Sequence, residues 1–489
     1  MLFNSFEFIF LFLPITFFIY FLFAKCRWFT AAKMTLVVAS IFFYAYWDVR
    51  YVLLLFFSIV FNYGFGKWLS KQPKKWIVAI GIAVNLGLLG YFKYADFFLE
   101  NVNALFGSSI PLLNVVLPLA ISFFTFQQIA FLVDSYRGLT KEYHFLNYIL
   151  FVVFFPQLIA GPIVHHKDVI PQFQEKRHFN IHYENIALGL LFFSVGLFKK
   201  VVIADSVALW VTPAFDEANG LTFFEAWGAA LAYTFQLYFD FSGYSDMAIG
   251  LGLLFNIRLP LNFSSPYKAN SIIDFWRRWH MTLSTFLKDY LYIPLGGNRK
   301  GKARKYTNLF LTMLLGGIWH GAGWTFIIWG ALHGMYNVIN HAFRDIKKRL
   351  EIVKSGNVEW AATLDIRKQN QLGISKFFST VSSRMVTFLA VVVGWVFFRA
   401  LTVDDAFKVL EGMAGLNGVR FGETEYLPQG HLQLLVLFTL FLWVSFAPNT
   451  LELSKRMKPN WKWTVFISLL LIASILFINR KSEFLYFQF

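Results

Sequence analysis

The stretch GGIWHGAGWTFIIWGALHG, Gly316 to Gly334, sets His320 and His333 into an otherwise apolar run. An ionisable side chain at membrane depth is unfavourable, and the few that occur there usually mark a functional path. An imidazole titrates near pH 6.5 when unperturbed, about where a general base is needed, so a neutral ring needs little tuning. His320 is therefore the first candidate for chemistry. A short run, Thr307 to Trp319, leads to it from a basic loop and puts the ring well inside the bilayer. Trp319 and Trp324 flank it, and Gly316, Gly317, Gly321 and Gly323 leave room for a helix or a substrate to approach closely. A buried neutral histidine bonded to a neighbouring helix is the alternative that spacing alone leaves open.

A second cluster, SIIDFWRRWHMTLSTFLKDYLYIPLGGNRKG from Ser271 to Gly301, gathers Asp274, Arg277, Arg278, His280, Lys288 and Asp289 among aromatic residues. On a helix, Arg277 and His280 share a face. Guanidinium groups bind phosphate bidentately and flat rings such as Trp279 stack on bases, so the pattern suits a phosphate-bearing, adenine-bearing ligand. An interfacial belt of Arg and Trp is the competing reading. A third cluster, QLYFDFSGYSDMAIGLG from Gln236 to Gly252, places Asp240, Ser242, Tyr244, Ser245 and Asp246 in an apolar run. Carboxylates there need partners. Asp240 and Tyr244 are candidates to line a substrate path, and pairing of the carboxylates with Arg277, Arg278 or Lys200 to hold the fold is the stronger alternative. His165 and His166, adjacent and so pointing apart on a helix, read as interfacial. No HxxxH or HExxH spacing accompanies any cluster, so no metal site is expected. Cys26 is the only cysteine, which excludes an intramolecular disulfide.

The elements that must carry these groups are membrane helices. The chain of 489 residues is 57% hydrophobic, 20% aromatic and only 15% charged, with a mean hydropathy of +0.54. A bilayer takes about 20 apolar residues to cross, and such runs recur at 6–23, 31–47, 50–69, 76–92, 112–133, 187–204, 223–255, 384–402, 432–447 and 463–478. The first run lacks a basic leader and a small-residue cleavage site, so it reads as a retained span. The formal charge of +16 sits in short loops, a pattern that sets topology and does not call for a nucleic-acid partner. Lys71, Lys74 and Lys75, then Arg299 to Lys305, then Lys347, Lys348 and Arg349, then Lys455 to Lys462 read as four cytoplasmic basic loops. The acidic 403–430 segment, with Asp404, Asp405, Glu411, Glu423 and Glu425, reads as an external loop, and both termini count as external. Leu146 to Val164 conflicts with that count unless it is re-entrant, and Pro156, Gly161 and Pro162 supply the breaks. His165 to Ile186 is then a cytoplasm-facing amphipathic connection. The 256–305 segment is too polar to span and reads as a cytoplasm-facing catalytic segment of a single 1–489 membrane domain.

In several motifs at once the chain resembles the membrane-bound O-acyltransferase (MBOAT) family, in its bacterial alginate O-acetyltransferase branch. The residues that carry this are MLFNSFEFIFLFLPI at the N-terminus, LPLAISFFTFQQIAFLVDSYRG from Leu117, FFPQLIAGPIV from Phe154, YFDFSGYSDMAIGLGLLF from Tyr238, the RRWH and WHG stretches above, GWVFFRA from Gly394 and the terminal FLYFQF. The resemblance implies an all-α polytopic membrane protein of about 10–13 transmembrane or re-entrant helices around a central funnel or tunnel. It places the family's near-invariant histidine at His320 and its second signature position at His280, where other branches often have Asn or Asp. It implies a bacterial inner-membrane enzyme with no permanently bound cofactor. Acetyl-CoA is the implied donor, and the implied acceptor is a polysaccharide such as alginate, reached through an extracytoplasmic, hydrolase-like acetyltransferase partner. Peptidoglycan O-acetylation and D-alanyl transfer to teichoic acid are the alternatives within the family. Joined to the residue reading, the expected chemistry has His320 as base, CoA phosphates among Arg277, Arg278 and the Arg299 loop, and oxyanion donors from Trp319, Trp324 or backbone N–H groups. A transporter would be expected to show repeat symmetry between halves, and none is visible; a scaffold without chemistry is the remaining class.

Overall fold

A computed structural model describes the chain except at residues 141–143, 160, 356–365, 479–484 and 486–489, and the side chains of 348–377 also lie outside the description. The described residues form helices joined by loops. Among the described residues five helices are long and apolar enough to cross a bilayer, namely Phe8–Lys25, Arg50–Lys71, Lys75–Phe106, Tyr183–Glu217 and Phe378–Arg399. Gly430–Phe446 and Thr450–Arg456, bent by 57°, make a sixth if they count as one span, and Phe29–Ala45 and Trp461–Phe477 are shorter apolar helices. The chain is thus an all-α polytopic membrane protein. The ten to thirteen elements expected include re-entrant helices as well as full spans, and some apolar runs are broken. The run 112–133 is one of these: the helix begins only at Ile121, after Pro111, Pro118 and an Ala120 with a φ of 62°.

The Leu146–Val164 stretch does not cross as one helix. Phe145–Val153 ends at Phe154, whose ψ of 110° breaks the ladder, and Phe155–Leu158 follows with proline in its first turn. Leu150 through Phe155 are 0–1% exposed, so the interrupted backbone is covered by protein, as broken backbone in an apolar phase requires. Two further expectations are corrected. Lys347, Lys348 and Arg349 lie inside the helix Trp324–Ser355 and form no loop, and the side chains of the last two are not described. His166 is not interfacial: it is 1% exposed, with Nε2 3.1 Å from Asp134. The terminal FLYFQF motif lies outside the described residues apart from Leu485.

By contact density the chain divides into two compact units, 1–206 with 236–262 and 450–489, and 207–235 with 263–449. In the first, Tyr183–Phe198 and the later part of Phe223–Leu254 meet through glycines. A Cβ on Gly196 would lie 2.5 Å from the Gly243 carbonyl oxygen, and one on Gly250 2.6 Å from that of Gly189. Only glycine permits that backbone approach. In the second, Gly301–His320 packs against Trp324–Ser355 in the same way, and that seam positions the candidate site.

Candidate active site

His320 is the last residue of the helix Gly301–His320; Gly321 is extended, and the next helix starts at Trp324. The two helices close on each other at Gly317, where a Cβ would lie 2.5 Å from the Phe326 carbonyl oxygen and 2.8 Å from Gly330 Cα. This contact holds His320 against the returning helix. Its ring is 4% exposed and is boxed by Trp319, Trp329 and Phe398 at centroid distances of 4.9, 5.1 and 5.2 Å. His280 lies 6.4 Å away, so the structure brings the two candidate catalytic imidazoles together.

His280 reaches this place through an unusual backbone. Ser271 caps Ile272–Trp276, accepting from the Asp274 amide, and that helix stops before Arg277. His280 then takes a left-handed conformation, φ 44° and ψ 54°, at the start of Met281–Leu287. For a residue with a Cβ this costs roughly 1–2 kcal/mol, and such strain tends to gather at functional positions. Arg277 and His280 accordingly do not share a helix face: Arg277 is exposed, whereas His280 is 0% exposed. Burial pushes the His280 imidazole down to about 3, so at neutral pH the ring is uncharged.

The other predicted residues divide. Arg277 and Arg299 are exposed. Arg278 is engaged by Asp274 at 2.9 Å and by the Ser264 carbonyl. Positive charge gathers near His341, which is held below the ordinary imidazole value by burial first, then by Lys305, Arg344 and Arg277, with Asp345 opposing. Trp279, expected to stack on a base, lies in the core: it is 2% exposed, with Phe275 stacked on it at 5.6 Å and Trp395 at 4.9 Å. Trp324 is 55% exposed, unlike the buried Trp319.

Asp240 and Tyr244 belong to the first unit. There Lys200 lies 2.7 Å from Asp240 and 2.7 Å from Asp205, and the Leu485 amide donates to Asp240 at 3.3 Å. Of the three cations expected as partners, Lys200 is the one that pairs with Asp240. Tyr244 stacks on Phe3 at 4.5 Å. Lys199 meets Asp246 at 2.6 Å. A π-helical stretch, Lys199–Ala204, carries both lysines, an irregularity common at functional sites.

Sequence reasoning passed over Trp329, Trp395 and Phe398. Trp329 stands four residues before His333, hence on the same helix face, and Trp395 lies in the GWVFFRA motif; these are the signals that were available. Among the described residues no group of three or more His, Cys, Asp or Glu is placed to hold a metal ion.

The sequence model of the membrane-bound O-acyltransferase family matches residues 45–383. A peptidoglycan O-acetyltransferase of Helicobacter pylori is 44% identical, with all of this chain and 98% of that protein aligned. A probable alginate O-acetylase of Pseudomonas putida is 39% identical over the whole of both chains. A teichoic acid D-alanyltransferase of Streptococcus thermophilus is 26% identical over 72% of this chain and 81% of its own length. The buried imidazole at the WHG turn and these full-length likenesses lead to one assignment: the chain belongs to the membrane-bound O-acyltransferase family and is a multi-pass membrane acyltransferase.

Proposed function

We propose that the protein is an inner-membrane O-acetyltransferase that takes acetyl from cytoplasmic acetyl-CoA and passes it towards O-acetylation of an extracytoplasmic polysaccharide. The observation that carries this is the buried His320–His280 pair, 6.4 Å apart, at the end of a glycine-packed helix. His320 acts as general base, taking the proton of the acceptor hydroxyl as its oxygen attacks the thioester carbon. Collapse of the intermediate breaks the C–S bond, and the proton passes to the departing thiolate. The C-terminal carbonyl end of the helix lies at the ring, where the helix dipole favours the positive charge gained in that step. His280, neutral and rigidly held, fixes the acyl group beside it. Exposed Arg277 and Arg299, with Lys305 and Arg344 near His341, suit the phosphates of CoA.

The proposed acceptor is supported by the relatives' names. Both full-length relatives above are named for acetyl transfer to a polysaccharide, and the higher identity to the peptidoglycan enzyme favours peptidoglycan over alginate as the proposed acceptor. An extracytoplasmic, hydrolase-like partner completes the relay, because the acidic 403–430 segment is too small to hold a polymer. D-alanyl transfer ranks lower on the 26% identity of that relative. The test uses proteoliposomes given acetyl-labelled CoA on the cytoplasmic side, with peptidoglycan or alginate fragments and candidate partners on the other. Label appearing on the external sugar, dependent on His320, supports the proposal; intact CoA crossing the membrane indicates a transporter.

A further inference from the structure

Trp329, His333 and Trp395 form a closed triangle of rings, with centroids 4.9 Å apart between Trp329 and His333, 5.8 Å between Trp329 and Trp395, and 6.1 Å between His333 and Trp395. None of the three is more than 1% exposed. Among the described residues, Trp329 Nε1, Trp395 Nε1 and His333 Nε2 have no hydrogen-bond partner. The opposite nitrogen of His333 is committed, since the Trp276 indole N–H donates to Nδ1 at 3.3 Å. An accepting Nδ1 leaves the ring proton on Nε2. All three nitrogens are therefore donors, on rings that pack against one another, and none meets an acceptor among the described residues.

Buried donors left unpaired are destabilising, and native proteins rarely keep them without a use. The surroundings point to that use. A Cβ on Gly394 would lie 2.8 Å from His333 Nε2 and 3.6 Å from Trp329 Cδ1, the carbon bonded to the indole nitrogen. Two of the donor-bearing ring edges thus border the same backbone position, kept free of a side chain. Trp329 also meets His320 edge-on, at 5.1 Å and 89°. A group of neutral donors beside a base suits an oxygen that gains negative charge while the base gains a proton.

We propose that Trp329, Trp395 and His333 donate hydrogen bonds to the acyl oxygen of the donor thioester and hold it as the oxyanion. This rests on the acetyl-CoA reading above. As the hydroxyl oxygen bonds to the carbonyl carbon, its proton goes to His320 and the C=O π pair moves onto the acyl oxygen, which the three N–H groups stabilise. Re-formation of C=O expels the thiolate, which recovers the proton from His320. Such donors act more strongly on the transition state than on bound substrate.

The test measures binding of two stable CoA analogues to the purified full-length protein. One is the ketone isostere of acetyl-CoA with CH2 in place of sulfur; the other is S-ethyl-CoA, which lacks the carbonyl. Wild type is expected to prefer the ketone by about tenfold, the worth of one or two hydrogen bonds. Trp329→Phe and Trp395→Phe keep a ring and remove the N–H; each should cut the preference to about threefold or less with S-ethyl-CoA affinity unchanged. Acetyl-CoA turnover should fall about 10- to 100-fold with KM within about threefold. A preference unchanged in both variants, or equal loss of affinity for both analogues, overturns the donor assignment alone. Binding of neither analogue by wild type overturns the CoA reading as well.

Discussion

Alanine at Gly317 and at Gly323, two glycines of one motif, should have opposite outcomes. At Gly317 the new methyl would sit 2.5 Å from a carbonyl oxygen and 2.8 Å from Gly330 Cα. Both are backbone atoms of the facing helix, so no side chain can swing aside. Carbon contacts settle at about 3.5–4.0 Å, and the seam must therefore open by roughly 1 Å. Overpacking of this kind costs about 1–3 kcal/mol in stability. His320 lies within one turn of Gly317 and moves with it, and a displacement of about 1 Å at a reacting group lowers the rate on the order of 100-fold. At Gly323 the methyl would meet only Phe326 Cδ2 at 3.6 Å and Thr325 Oγ1 at 3.8 Å, which is ordinary contact. The assay is CoA release from acetyl-CoA by purified protein, with thermal unfolding recorded on the same samples. Gly317→Ala should lose about two orders of magnitude in turnover and Gly323→Ala about twofold at most. Wild-type turnover in Gly317→Ala, or equal damage from both, would show that the seam does not set the position of His320.

Other predictions concern burial and charge. Lys200→Met removes the buried cation that Asp205 and Asp240 share and should cost about 3–5 kcal/mol; a thermal midpoint equal to wild type would count against the pairing. Thr402→Ala removes the capping box of Val403–Met413, in which Thr402 Oγ1 accepts from the Asp405 amide at 3.1 Å, and should cost about 1 kcal/mol. Partial burial works to raise Asp405, but hydrogen bonds from Thr402 and Lys408 prevail and hold it below its ordinary value. That stabilisation is complete above the unfolded value of about 3.9 and is lost as pH falls through the lower folded one, so Thr402→Ala should narrow the acid-induced loss of stability below about pH 4. With burial holding His280 at about 3, any acid limb of activity between about pH 5 and 8 should persist in His280→Gln; its disappearance would assign that limb to His280.

His320 stood out in the sequence as a candidate because an ionisable ring in a long apolar run is a local exception, visible without any knowledge of packing. The membrane class was legible for a similar reason, since hydropathy is summed along the chain. What escaped depends on breaks and on distant neighbours. The RRWH stretch reads as a helix face, but Ile272–Trp276 ends early and a left-handed His280 sends that ring inward while Arg277 stays exposed. Trp279 looks like a stacking surface until the structure covers it with Phe275 and Trp395. The stacking of Trp329 on Trp395 arises from contact between two helices, which no window of sequence contains. Lys199 and Lys200, consecutive in sequence, both find buried carboxylates on a π-helical stretch, where ordinary helical periodicity would separate them.

Whether His320 performs acyl chemistry is tested by comparing CoA release from acetyl-CoA, with an acceptor hydroxyl present, by wild type, His320→Ala and His320→Gln. Equal folding of the three is verified by thermal unfolding. Turnover in wild type and its loss by two orders of magnitude or more in both variants, of the order expected when a general base is removed, is the predicted result. Wild-type rates in either variant would exclude His320 as the base, because the proton of the attacking hydroxyl would then have to leave by another route.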